Sequence, residues 1–382
     1  MKQAIMIGAG NIGRGFIGAI LSRSGYHVTF ADVNMTLIDA INAEGRYTVH
    51  IQDRNPAAFT ITNIDGISSA GPELASALKT AELVTTAVGL RILPIVAKPI
   101  AAGIAARKAA GNAAPLNIVA CENAVRATSQ LKNAVYALLD DETKAFADAN
   151  VGFADCAVDR IVPKMDFAAP LDVAVEEFSE WDVERSGWKG ELPQIDGMTI
   201  VEDLSAYIER KLFTLNSGHA ICAYLGCLRG HQTILDSVSD PVIGPIVYRA
   251  MQQSGAGLVK KFSMDAEKHQ AYIDRIFARF HNPYLQDEVA RVGREPIRKL
   301  AASDRLINPL LTAYNFHLPV DQLIFGAAAA LRYDNAEDPQ SVELHKTIAE
   351  QGAAAALEQY SGLAADHPLS TRILDVYRAL AV

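Results

Sequence analysis

The sequence predicts an α/β N-terminal domain followed by a mostly α-helical C-terminal domain, and three observations carry that prediction. An apolar run, Lys2 to Ile7, leads into Gly8, Gly10 and Gly13 at G-x-G-x-x-G spacing, with a helical pattern from Phe16 to Ser24. A second apolar run, Tyr26 to Ala31, ends in Asp32. From about Asp203 onward, apolar residues recur at helical rather than strand spacing. The expected architecture is a Rossmann-type dinucleotide-binding domain over residues 1–190 and a mainly helical substrate and catalytic domain over 191–382.

The first strand, with Ala4, Ile5, Met6 and Ile7, delivers the chain to the loop Gly8, Ala9, Gly10, Asn11, Ile12, Gly13, Arg14 and Gly15, and this whole stretch is the expected cofactor-binding segment. Gly8 allows a sharp turn off the strand, Gly10 lets the backbone approach a pyrophosphate, and Gly13 lets the helix pack closely. The anion sits on the free N–H groups and positive dipole end of that helix. Asp32 stands about 20 residues past the glycines, where an acid accepts hydrogen bonds from ribose hydroxyls and repels a 2′-phosphate. That favours NAD over NADP.

Further strands are expected at Leu83 to Gly89 and Asn117 to Asn123, with helices between them. Ligands bind beyond the carboxyl ends of such strands, which places Thr86, Val88, Gly89 and Asn123 on the same rim as Gly10. Val173 to Phe178 alternates and is read as an extension of the sheet. Between Trp181 and Gly197 glycine and proline punctuate the chain, and the domain boundary is expected there. The helices expected beyond it are Asp203 to Leu228, His269 to Phe280, Asp321 to Arg332, Pro339 to Leu357 and Ser370 to Ala379, with Asp321 and Ser370 as N-caps.

Composition narrows the function classes. The chain has 382 residues, half of them hydrophobic and 21% charged, which fits a well-folded protein of two domains. A net charge of −9 argues against nucleic acid as a partner. Cys121, Cys156, Cys222 and Cys227 form no C-x-x-C pair and have no histidines at zinc spacing, so free thiols in a reducing cytoplasm are expected, and no metal site. The apolar stretch Ile92 to Ala106 holds Lys98, Pro94 and Pro99 and is too broken to span a bilayer. The expected partner is a small molecule, with no membrane and no nucleic acid. A monomer is compatible with the sequence.

The best source of catalytic groups in the second domain is Glu209 to His219. On an α-helix at about 100° per residue, Lys211, His219 and Asn216 fall near 0°, ~80° and ~140°, on one side of the helix. On spacing alone, a solvated face explains these three residues as well as a catalytic site does.

The K-x-x-x-x-N-x-x-H arrangement of Lys211, Asn216 and His219 resembles the catalytic motif of the polyol-specific long-chain dehydrogenases and reductases. GAGNIGRGFIG (Gly8 to Gly18) resembles the N-terminal signature of the branch acting on mannitol 1-phosphate. TTAVG (Thr85 to Gly89), CENAVR (Cys121 to Arg126), VDRIVP (Val158 to Pro163), RKLFTLNSGHA (Arg210 to Ala220) and NPYLQDEVARVGREPIRKL (Asn282 to Leu300) are similar to family segments and come in family order. The resemblance implies metal-independent, NAD-dependent interconversion of D-mannitol 1-phosphate and D-fructose 6-phosphate. It implies Lys211 as general base, Asn216 and Asn123 as oxyanion donors, His219 as a substrate-binding residue and Asp159 as an acid for orientation or proton relay. A lysine has an ordinary pKa of about 10.4, and burial beside a cationic ring would bring such a base toward ~7–8.

A phosphorylated substrate needs cations. Arg291, Arg294, Arg298, Lys299 and Arg305 form the densest basic stretch, and Arg294, Arg298, Lys299 and Arg305 are the expected phosphate ligands. Arg294 and Arg298 share a face if the segment is helical. A solvated, salt-bridged face is the competing reading. Two other functions stay open: a related enzyme acting on an unphosphorylated polyol or a hexuronate, and a non-catalytic NAD-sensing regulator. The intact Lys211, Asn216 and His219 set argues against the regulator, which needs no proton acceptor.

Overall fold

The computed structural model describes every residue except Arg54, Lys164, Gln286, Ala381 and Val382. Gln286, inside the segment that begins at Asn282, therefore lies outside the described residues. The chain forms two compact units, Met1–Tyr207 and Ile208–Val382.

The first unit has twelve strands among the described residues: β1 (Lys2–Ile7), β2 (Tyr26–Asp32), β3 (Tyr47–Ile51), β4 (Ala57–Ile61), β5 (Ile64–Ser68), β6 (Leu83–Thr86), β7 (Leu116–Ala120), β8 (Val151–Phe153), β9 (Cys156–Asp159), β10 (Val173–Val175), β11 (Glu180–Glu184) and β12 (Thr199–Val201). Six form an all-parallel sheet in the order β5-β2-β1-β6-β7-β8. With only the sheet's own strands counted, this is the doubly wound order 3-2-1-4-5-6. Along β1, Ala4 and Met6 join one apolar core while Ile5 and Ile7 join the other. A strand buried on both faces needs apolar residues at every position, which is why Ala4 to Ile7 reads as a continuous run. The helix Leu93–Ala109 covers one face despite Pro99 in its interior. Its buried Arg107 donates to the carbonyls of Leu78, Lys79, Ala81 and Ala114, so the charge in the core is satisfied by backbone acceptors.

Val173–Val175 does not extend the main sheet. It pairs in parallel with β3, in a separate sheet of order β10-β3-β4. The hairpin β3–β4 was not expected from the sequence, and it supplies the edge that β10 takes. The third sheet, β12-β11-β9, carries Asp159 at the end of β9.

The second unit is helical among the described residues, apart from an isolated antiparallel bridge between Thr233 and Glu288. Three expectations are corrected in detail. The segment Pro339 to Leu357 is two helices, Pro339–Gln351 and Ala353–Ser361, because Gly352 between them has φ +88°. Ser370 is not an N-cap: the last helix runs Pro368–Ala379, and the His367 ring accepts from Leu369 N. Asp321 is the first helical residue rather than the cap and pairs with Arg372 at 2.7 Å. Among the described residues, no helix is long and apolar enough to cross a membrane. The four cysteines are free thiols, three of them buried.

Candidate active site

Two of the three motif glycines, Gly8 and Gly13, have a measurable steric constraint. Gly8 has φ +100°, and a Cβ there would lie 2.6 Å from Ala87 O. A Cβ on Gly13 would lie 2.0 Å from Gly8 O, so the helix begins hard against the loop. A Cβ on Gly10 would meet nothing within 4 Å, and Gly10 is exposed. The loop is thus tight beneath and open above Gly10, which fits a bound pyrophosphate. The side chains of Ala4, Ile5, Met6 and Ile7 are buried and support the loop from below.

The Ala9 peptide is held from both sides. Its N–H donates to Asp32 Oδ2 at 2.7 Å, and its carbonyl accepts from the Arg14 guanidinium. Asp32 Oδ1 also accepts from Asn34 N at 2.9 Å. The expected ribose acid therefore braces the glycine loop, and its oxygens retain lone pairs for ribose hydroxyls. Arg14 is buried, donates through Nε to Leu171 O at 3.0 Å, and points inward. Burial lowers its pKa, opposed by Tyr47, Asp32 and Asp172.

On the rim, sequence reasoning missed Glu122. This buried carboxylate accepts from Thr86 Oγ1 at 2.6 Å, Val88 N at 3.0 Å and Gly89 N at 2.8 Å. The available signal was an acid directly after an apolar strand, beside an exposed Asn123. Asp159 is buried and faces Glu180 across the third sheet, so it belongs to a different sheet from Thr86.

In the second unit, Lys211, Asn216 and His219 lie on one unbroken helical path, but it is not a plain α-helix. Ser205–Lys211 runs into a π turn, Leu212–Asn216, and then into Ser217–Leu228. Ser217 N donates to Leu212 O, five residues back. Each π residue advances less than 100° about the axis, so Asn216 stops well short of the expected ~140°. His219, three α residues later, swings back toward the azimuth of Lys211. The α-helical geometry expected from the sequence is corrected in favour of a tighter cluster, with all three side chains half-buried. The carbonyls that the turn loosens have other donors. Ser254 Oγ donates to Phe213 O at 2.8 Å. Ser217 Oγ lies 2.6 Å from Arg305 O and 3.0 Å from Leu212 O, with one proton to serve them.

The His219 ring stacks on Phe280 at 5.0 Å, and its Nε2 is 3.0 Å from Asp287 Oδ2. Asp287 in turn pairs with Arg291. Burial first, and then Arg291, Arg279, Lys299 and Arg305, push the imidazole down to about 3. Three arginines and Lys299 therefore bear on one histidine, with the Asp287 carboxylate against its ring. The sequence does not single out Arg279 or Asp287, and it shows Arg291 only as a member of the basic stretch.

The basic stretch is not one helix. Val289–Gly293 ends before Arg294, Glu295 has φ +61°, and Pro296 opens the helix Pro296–Leu300. The residue before a proline is steered away from the α region, so the shared face expected for Arg294 and Arg298 does not form. Arg294 is exposed, with its Nε 3.3 Å from Arg291 O. Arg298 pairs with Glu295 at 2.8 Å and Asp304 at 3.0 Å. Buried Lys299 donates to the carbonyls of Val292 and Arg294. Its pKa is lowered to about 7 by burial, then by Arg305 and Arg298, against Glu295 and Asp304. Arg305 pairs with Asp304 at 2.8 Å.

Comparison with known proteins gives these features a family. Residues 2–197 match the mannitol dehydrogenase Rossmann domain, and residues 203–380 match the mannitol dehydrogenase C-terminal domain. The chain belongs to the mannitol dehydrogenase family. It is therefore an oxidoreductase acting on secondary alcohols. Two solved structures share the fold of this family member at 16% identity each. A D-sorbitol dehydrogenase in substrate-free form has a TM-score of 0.82, covering 99% of this chain and 92% of its own. The Pseudomonas fluorescens mannitol 2-dehydrogenase, in a ternary complex with NAD and D-mannitol, has a TM-score of 0.72, covering 99% and 91%.

Proposed function

We propose that this chain is a mannitol-1-phosphate 5-dehydrogenase, which interconverts D-mannitol 1-phosphate and D-fructose 6-phosphate. The cofactor is NAD, which accepts a hydride when bound. The residues that would hold it are the loop from Gly8 to Gly15, Asp32 and the Thr86–Val88 rim. In the oxidation direction Lys211 removes the proton of the reacting hydroxyl. Asn216 and Asn123 donate to the developing oxyanion, where one such donor is typically worth ~3–4 kcal/mol. His219, neutral at physiological pH, binds a substrate hydroxyl. Asp159 orients or relays a proton.

The observation that carries the phosphate reading is the gathering of Arg291, Arg279, Lys299 and Arg305 around His219 in a protein of net charge −9. Asp287 and Asp304 offset Arg291 and Arg305, and a bound phosphate would compete with them for these donors; among the residues expected from the sequence, Lys299 and Arg305 fit this role better than Arg294 and Arg298.

A second reading, an unphosphorylated polyol or hexuronate as substrate, is favoured by the names of the two structural neighbours, which act on sorbitol and mannitol. NADH consumption with fructose 6-phosphate, fructose and tagaturonate decides between them. Two phosphate contacts at ~1.5–3 kcal/mol each predict a kcat/KM for fructose 6-phosphate about 10²-fold or more above that for fructose. Equal or better turnover of fructose or tagaturonate would establish the second reading instead.

A further inference from the structure

We propose that Glu122 is a positioning residue that locks the cofactor-side loop Thr86 to Gly89 to the segment presenting Asn123. The proposal rests on the dehydrogenase reading above and adds to it a residue to which that reading gives no role.

The argument starts from hydrogen-bond capacity. A carboxylate only accepts, and Glu122 is buried where an unpaired charge would be costly. Its Oε1 takes the Thr86 hydroxyl and the Val88 N–H, while its Oε2 takes the Gly89 N–H. Thr86 is the last residue of β6 and Gly89 has φ +90°, so the chain turns off this strand at once, and the Glu122 carboxylate holds both ends of that turn. The anchor comes from the neighbouring strand. Glu122 lies two residues beyond the end of β7, and Ala124 N donates back to Glu122 O at 2.8 Å. Asn123 is thus enclosed in a short turn, with its predecessor bound to the β6 loop. Moving Glu122 would move Asn123 and the Val88–Gly89 backbone together. Misplacing a reacting group by about 1 Å can cost ~10²-fold in rate.

The variant Glu122→Gln tests this, because an amide has one acceptor oxygen, so whichever way it sits either Val88 N–H or Gly89 N–H meets its nitrogen donor to donor. Wild type, E122Q, N123A and E122Q/N123A are compared as full-length protein. The readouts are NADH affinity by fluorescence, kcat over the three ketose substrates, and the primary isotope effect with deuterated NADH. If Glu122 acts through Asn123, E122Q lowers kcat about 10- to 100-fold with an increased isotope effect, and the double variant is no slower than N123A alone. NADH affinity falls about fivefold in E122Q from the freed Val88–Gly89 loop. Additive losses in the double variant, or a wild-type kcat in E122Q, overturn the proposal. If wild type turns over none of the substrates, the functional reading fails. The positioning role is then judged on NADH affinity alone, and an unchanged value in E122Q overturns it. Thr86→Val removes only the 2.6 Å donor and keeps Glu122, so it should give the same non-additive pattern at smaller size even if E122Q does not fold.

Discussion

The two units each place a π turn in a helix that carries proposed site residues, and they support it in different ways. In the first unit the turn is Gly13–Ile17, where Gly18 N donates five residues back to Gly13 O. The Tyr47 hydroxyl donates to Arg14 O at 2.6 Å, and Arg160 reaches Gly15 O at 3.4 Å. In the second unit the turn is Leu212–Asn216, served by the Ser217 and Ser254 hydroxyls. The first turn is built on glycines whose missing Cβ atoms make room for neighbouring backbone and side chains. The second contains no glycine and changes only where side chains point. The difference teaches that one turn shapes a surface of backbone and the other aims side chains. Damage to the first should therefore appear in cofactor affinity, and damage to the second in the chemical step.

The largest expected effect breaks that symmetry outright. Lys211→Ala should lower kcat by ~10²–10⁴-fold, the usual range for a general base, while NADH affinity measured by fluorescence stays within about twofold. Gly13→Ala should do the reverse. Its Cβ would sit 2.0 Å from Gly8 O, a backbone atom that cannot step aside, and overpacking of this kind costs about 1–3 kcal/mol. NADH affinity should fall at least tenfold, with kcat at saturating NADH largely kept. If Gly13→Ala removed kcat and spared NADH affinity, the division of labour between the turns would be wrong.

The same contrast explains what could be read from the sequence. The strand-loop-helix start and the parallel sheet were legible because each depends on local spacing: Gly8 and Gly13 name their own backbone geometry. The mainly helical second unit was legible from its apolar period. The π turn at Leu212 was not, since no residue type within it demands a wider turn, and its hydroxyl supports come from Ser217 and from Ser254, 42 positions after Leu212 by number. Nor was the break at Arg294–Pro296, although Pro296 was a signal against reading one helix there. Glu122 escaped notice because its partners lie more than 30 residues away in sequence. The cations around His219 depend on packing among separate helices, so only the part lying in one dense stretch was visible beforehand.

Acid should distinguish the two turns next. His269 is buried, packs against Gly255 beside Ser254, and its Nε2 has no partner among the described residues. Burial, and then Arg210, lower its pKa to about 4. The unfolded value is about 6.5, so between these two pH values the unfolded chain binds more protons. Stability from the neutral ring is fully present above about pH 6.5 and is lost as pH falls toward 4, by at most ~3 kcal/mol. The first turn has no such liability, because the Tyr47 hydroxyl, its pKa raised by burial, stays protonated in acid. Urea unfolding of wild type and His269→Gln between pH 7 and 4.5 checks this. The wild-type midpoint should fall more steeply. Parallel slopes would remove His269 as the source of acid sensitivity.

The smallest effects make the sharpest test of the comparison, because they touch the supports and leave the site residues alone. Tyr47→Phe removes the donor to Arg14 O, and Ser254→Ala removes the donor to Phe213 O. Each change leaves a buried carbonyl one bond poorer and should cost about 1 kcal/mol of stability. The functional consequences should differ in kind. Tyr47→Phe loosens the turn that carries Arg14, whose guanidinium holds the Ala9 carbonyl, so NADH affinity should drop a few-fold with kcat unchanged. Ser254→Ala loosens the turn that sets Asn216 and His219 relative to Lys211, so kcat should drop a few-fold with NADH affinity unchanged. Measuring both constants for both variants gives four numbers, and the crossed pattern is the prediction. If each variant shifts both constants alike, the π turns are packing irregularities of two helices, and the aim of Lys211, Asn216 and His219 does not depend on the turn between them.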